Sequence, residues 1–116
     1  MDIIEKLRAE NVDAIEQALR RIRDYATRNR QVEKVIQFGS TARGRMDALS
    51  DLDILVIMES DKDFYLRNIN MRMQIQAPVD VDIICLTPDE LEKNRHRPFF
   101  RHVMKEGKTI YEKRGS

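Results

Sequence analysis

Residues 51–58 read DLDILVIM, and this stretch constrains the fold more than any other. Its second half is apolar at every position, so it reads as a strand covered on both faces. Such a strand belongs in a small sheet with helices packed on each side. Yet it opens with two carboxylates, Asp51 and Asp53, which are costly to desolvate. On a strand, side chains i and i+2 leave the same face, about 7 Å apart. Two carboxylates that close repel, and one is driven protonated unless a cation lies between them. Residues 46–61 hold no Lys or Arg that could serve. A divalent cation such as Mg²⁺ would, because hard cations take oxygen ligands.

The other segments supply that sheet and its cover. From Asp2 to about Asn29, Ile4, Leu7, Val12, Ile15, Leu19, Ile22 and Ala26 recur at helical spacing. They predict one amphipathic helix, or two meeting near Asn11. VEKVIQF (32–38) alternates and predicts a strand ending at Gly39. GSTARGRMDALS then reads as a turn with a loop or short helix. A helix is expected from Ser60 to about Met73, capped by Ser60 or Asp61, with Phe64, Ile69 and Met73 toward the core. Met71 and Met73 read as core filling. VDVDIICL (79–86) is a third strand, and Thr87-Pro88 starts a helix. FFRHVMKEG, after Pro98, gives a last helix closed by Gly107, followed by the extended KTIYE. The fold class is therefore α/β (α+β), a small mixed sheet flanked by helices.

At 116 residues the chain is expected to form a single domain. Within it the N-terminal helical segment covers about 2–29, the core about 32–86, and C-terminal helices with a short strand about 88–112. No run of about 18 apolar residues suits a membrane span. The N-terminal MDIIEKLRAEN has acids where a secretory signal needs a basic start, so the expected location is the cytoplasm. A lone cysteine, Cys85, excludes an internal disulfide and a cysteine zinc cluster. Within VDIICL it reads as a buried, inert thiol.

The net charge of +1 argues against a dedicated nucleic-acid binder. Its distribution is uneven: residues 45–90 hold 4 Lys+Arg against 10 Asp+Glu, and residues 91–116 hold 8 against 3. An acidic middle beside basic flanks suits a carboxylate site that receives an anion. Phe99 and Phe100 read as packing on the core or on a partner. His96 and His102 have no obvious third ligand and read as surface. Tyr65 and Tyr111 read first as structural, and Asp47, in the loop before the site, as solvated.

Asp80 and Asp82 repeat the Asp-x-Asp spacing on the third strand. If the two strands are neighbours, three or four carboxylates converge at one end of the sheet. That is the ligand set for two-metal attack on phosphorus. QFGSTARG supplies the complement: Gly39 and Ser40 leave a strand with backbone N–H groups and a hydroxyl able to face an anion. Arg43 follows within reach of a phosphate oxygen. The P-loop pattern is absent. Each piece alone is weak, since Gly-Ser after a strand is usually a turn. Gly39-Ser40, ten residues, then Asp51-x-Asp53 is a specific combination.

GSTARGRMDALSDLDILV resembles the signature of the minimal nucleotidyltransferases, the smallest members of the DNA polymerase β-like superfamily. The resemblance implies transfer of a nucleoside monophosphate from a triphosphate, first of all ATP, to an acceptor hydroxyl. Gly39 and Ser40 would bind the triphosphate, with Arg43 as a further contact. Asp51 and Asp53 would hold two Mg²⁺ ions together with a third carboxylate, Asp82 by family pattern, with Asp80 as its rival. Within the family the spacing resembles the antitoxins of toxin–antitoxin pairs that attach AMP to a tyrosine of a HEPN ribonuclease encoded nearby. Such a partner is implied here, and a homo-oligomer is compatible with the chain. The alternative is a binding module that silences a HEPN-type partner by docking, without turnover.

Overall fold

The computed structural model describes residues 2–44 and 51–114, so Asp47 lies outside the described residues. Helix α1 spans Ile3–Arg28 without a break at Asn11, and Asp2 caps it by accepting from the Glu5 N–H at 2.9 Å. Strand β1 is Val32–Phe38, the one-turn helix α2 is Gly39–Ala42, and β2 is Leu52–Met58. Then follow α3 (Phe64–Ile75), β3 (Val81–Leu86), α4 (Pro88–Asn94), α5 (Pro98–Glu106) and β4 (Lys108–Glu112). The sheet order is β3-β2-β1-β4. β1 is antiparallel to both β2 and β4, whereas β2 and β3 are parallel. The parallel pair needs a crossover, which α3 supplies.

Alternate residues of β2 explain why this strand is apolar throughout. Leu52, Ile54, Val56 and Met58 join a core with Ile15, Leu19, Ile22, Met71 and Ile75 from α1 and α3. Leu55 and Ile57 join a second core on the opposite face with Leu91 of α4 and Val103 of α5. Both faces are covered, as the composition of the strand requires.

Two helices depart from the sequence expectation. In α3, Arg67, Met71 and Ile75 face the core, while Phe64, Ile69 and Met73 are exposed at 39%, 52% and 66%. The cap is Asp63, whose carboxylate accepts from the Leu66 N–H at 2.9 Å, rather than Ser60 or Asp61. The inward line is legible only through Arg67, a residue that looks like surface. Its guanidinium donates to both Glu90 carboxylate oxygens, at 2.5 and 2.9 Å, and to the Cys85 carbonyl at 3.3 Å. Burial of that cation is offset by a bidentate partner and a backbone acceptor. In α1, Ile4 and Leu7 continue the core stripe but remain exposed, because the helix runs on past the sheet. The overhang fits a radius of gyration of 14.7 Å, against about 13 Å for a compact chain of this length.

The outer edge of β3 is covered by α3. Arg72 donates to the Val81 carbonyl at 2.5 Å, and the Cys85 N–H donates to Asn68 Oδ1 at 3.2 Å. Glu90 also closes a capping box with Thr87 at the start of α4. One carboxylate therefore ties α3, β3 and α4 together. Contact with Arg67 is the first cause that holds its pKa down, to about 2. Among the described residues no helix is long and apolar enough to cross a membrane.

Candidate active site

The strand register brings the sequence-derived residues to one place. Asp53 lies between Phe38 of β1 and Asp82 of β3, directly opposite each. Gly39 follows Phe38, so α2 begins where the carboxylates begin. Gly39 has φ +76°, and a Cβ added there would overlap Asp53 Oδ2. The position thus requires glycine twice over, for its left-handed backbone and for the close approach of a carboxylate. α2 is fastened from beneath by Gln37, buried in β1, whose amide donates to the buried Thr41 hydroxyl at 3.1 Å. Sequence reading passed over this pair; a Gln between the apolar Ile36 and Phe38, four residues before a Thr, was its signal.

Asp53 is half-buried, while Asp51 and Asp82 are exposed. Burial, then the neighbouring charges of Asp82 and Asp51, raise the Asp53 carboxyl above its ordinary value. The proximity of the Asp82 side chain adds to the rise. Among the described residues no three His, Cys, Asp or Glu side chains are gathered closely enough to enclose a metal ion. The donor set is carboxylate only, centred on a partly buried Asp under electrostatic stress, and it fits Mg²⁺. Asp51, Asp53 and Asp82 would hold the metal.

Asp80 lies one residue before β3. Its carbonyl accepts from the Leu52 N–H, and it lines a small cavity of about 200 Å³ with Arg72, Gln76 and Val79. It is not among the charges that act on Asp53. Ser40 is half-buried in α2, and its carbonyl accepts from the Arg43 N–H at 3.1 Å. The Arg43 side chain is exposed where α2 ends. A cavity of about 680 Å³ between the C-terminal part of α1 and the end of α3 contains none of these residues. Cys85 is buried, and burial pushes its thiol up to about 11, so it stays protonated near neutrality. His96 and His102 are exposed.

Gly39-Ser40 at the end of β1 and the carboxylates of β2 and β3 thus lie together at one end of the sheet. The chain is 31% identical over 81 residues to the "Putative protein adenylyltransferase" of Methanocaldococcus jannaschii, covering 70% of this chain and 80% of that one. Its fold matches the crystal structure of a "putative nucleotidyltransferase" from Sulfolobus solfataricus with a TM-score of 0.61 at 23% identity. That match covers 95% of this chain and 91% of the other. The family described as "Polymerase beta, Nucleotidyltransferase" matches residues 20–115, which include both the glycine-serine turn and all the carboxylates, and the chain belongs to that family.

Proposed function

We propose that this chain transfers AMP from ATP to a protein hydroxyl, with a tyrosine of a HEPN ribonuclease partner as the acceptor. The observation that carries the reading is the position of Asp53, abutting Gly39 on one side and paired with Asp82 on the other. Gly39 and Ser40 receive the β- and γ-phosphates through backbone N–H groups and the Ser40 hydroxyl, and Arg43 neutralises an outer oxygen. Two Mg²⁺ ions, when bound, would offset charge on the triphosphate and lower the pKa of the acceptor hydroxyl. Asp51, Asp53 and Asp82 would hold them. The acceptor oxygen forms a bond to the α-phosphorus, the bond to the bridging oxygen breaks, and pyrophosphate leaves. Asp82, exposed at the start of β3, takes the acceptor proton.

A second reading, docking without turnover, is favoured by the apolar side chains that α1 and α3 leave exposed, among them Leu7, Leu66, Ile69 and Met73. One experiment separates the two. The protein is incubated with α-³²P-ATP and Mg²⁺, with and without a HEPN partner, and run on a denaturing gel. Label on the partner that disappears in Asp53→Asn is the expected result. Partner binding without label, in a protein that also fails to bind ATP, would replace catalysis with docking.

A further inference from the structure

Among the described residues, large exposed apolar side chains lie on α1 and α3, with one exception. Phe99, in the first turn of α5, is 47% exposed on the opposite face of the sheet, which is the face of the carboxylates. Its position is well fixed. Pro98 occupies the first helical position and presets the backbone. The Phe99 ring meets Phe38 edge-to-face at 5.7 Å and Phe100 edge-to-face at 5.0 Å. Phe38 is directly opposite Asp53 in the β1–β2 register, which sets their Cβ atoms about 5 Å apart. The chain therefore holds a rigid, partly bare aromatic ring one residue away from its central carboxylate.

The row across the sheet runs Asp82, Asp53, Phe38. In-line displacement puts the acceptor and the departing pyrophosphate on opposite sides of the phosphorus. Gly39-Ser40, which would receive the triphosphate, directly follows Phe38, so the nucleotide side of the row is the side of Phe38 and Phe99. The Phe99 ring is exposed rather than packed under a neighbour. An exposed aromatic face is the usual platform for a base.

We propose that Phe99, braced by Phe38 and Phe100, is the surface on which the base of the incoming nucleotide stacks. The proposal rests on the nucleotidyl-transfer reading and assigns the part of the substrate that the carboxylates and Gly39-Ser40 leave unread. Stacking of this kind tolerates any base but favours purines, which offer the larger π-face. Titration calorimetry with Mg-ATP and with Mg-tripolyphosphate on wild type, Phe99→Ala and Phe99→Trp tests it. Phe99→Ala should bind ATP roughly 5- to 100-fold more weakly while tripolyphosphate affinity stays within about twofold. Phe99→Trp should keep wild-type ATP affinity. Unchanged ATP affinity in Phe99→Ala overturns the platform, as does an equal loss for both ligands, which would make Phe99 structural. A Phe99→Ala enzyme with normal ATP affinity but a raised KM for the acceptor protein would reassign the ring to acceptor binding. Wild-type protein that binds neither ligand would overturn the transfer reading itself, and the platform with it.

Discussion

Asp53 carries opposite demands. In the metal-free protein its ionised form is unfavourable, since burial and two neighbouring carboxylates oppose it. Its folded pKa lies above the unfolded value, so its contribution favours folding at low pH and is lost as pH rises through the raised pKa. Asp53→Asn should therefore melt at or above the wild-type temperature at pH 7 without divalent ions, and transfer should be abolished. Adding Mg²⁺ should raise the wild-type melting temperature and leave that of the variant almost unmoved. Gly39→Ala should do the reverse of Asp53→Asn on stability. The left-handed backbone alone costs about 1–2 kcal/mol with a Cβ present, before the clash with Asp53 is counted. Calorimetric melting and an ATP-binding titration read both effects. The sequence showed why these residues are wanted, because spacing and residue type follow from the chemistry. The support beneath them stayed hidden, since the Gln37–Thr41 hydrogen bond exists only once β1 and α2 are in place.

At the scale of elements, the Arg67–Glu90 pair is where sequence reasoning about α3 had least to work with. Period and polarity put Phe64, Ile69 and Met73 inside; the chain instead turns Arg67, Met71 and Ile75 inward. The decisive partner, Glu90, lies 23 residues later in another helix, and no local pattern announces it. By contrast Thr87-Pro88, Pro98 and Gly107 mark their boundaries through short-range backbone chemistry and were readable. Glu90→Ala leaves the guanidinium of Arg67, only 4% exposed, without its partner and should cost about 3 kcal/mol. Arg67→Met should cost less, because the partly exposed Glu90 keeps its Thr87 contacts and can be hydrated. The pair also sets a pH limit. The depressed Glu90 pKa contributes stability that is present above the unfolded value and is lost as pH falls toward about 2. Denaturant midpoints for wild type should drop across that window more than those of Glu90→Gln.

For the molecule as a whole, the apolar strand implied cover on both faces, whereas the neighbouring of β2 and β3 entered only as a condition for the carboxylates to converge, and the strand register meets it. The overhang of α1 was not legible: Ile4 and Leu7 continue a regular core stripe, and sequence periodicity cannot report that the sheet beneath has ended. Because Leu7 and Ile69 pack against little, Leu7→Glu and Ile69→Glu should each change stability by less than about 0.5 kcal/mol, measured by chemical unfolding. If that surface receives the acceptor protein, the same variants should lose label transfer to it while still binding ATP.

The covering of β3 by α3 has a consequence for how the sheet meets other chains. Side chains of α3 already occupy the outward N–H and carbonyl groups of Cys85 and the carbonyl of Val81, so a foreign strand arriving there would have to displace a packed helix. β4 is covered less: Arg23 of α1 donates to the Ile110 carbonyl at 3.4 Å, and the short strand carries Lys108 and Glu112 at its ends. Growth of this sheet by one more strand is thus directed to the margin that does not carry Asp82, and the carboxylate end stays clear for a substrate.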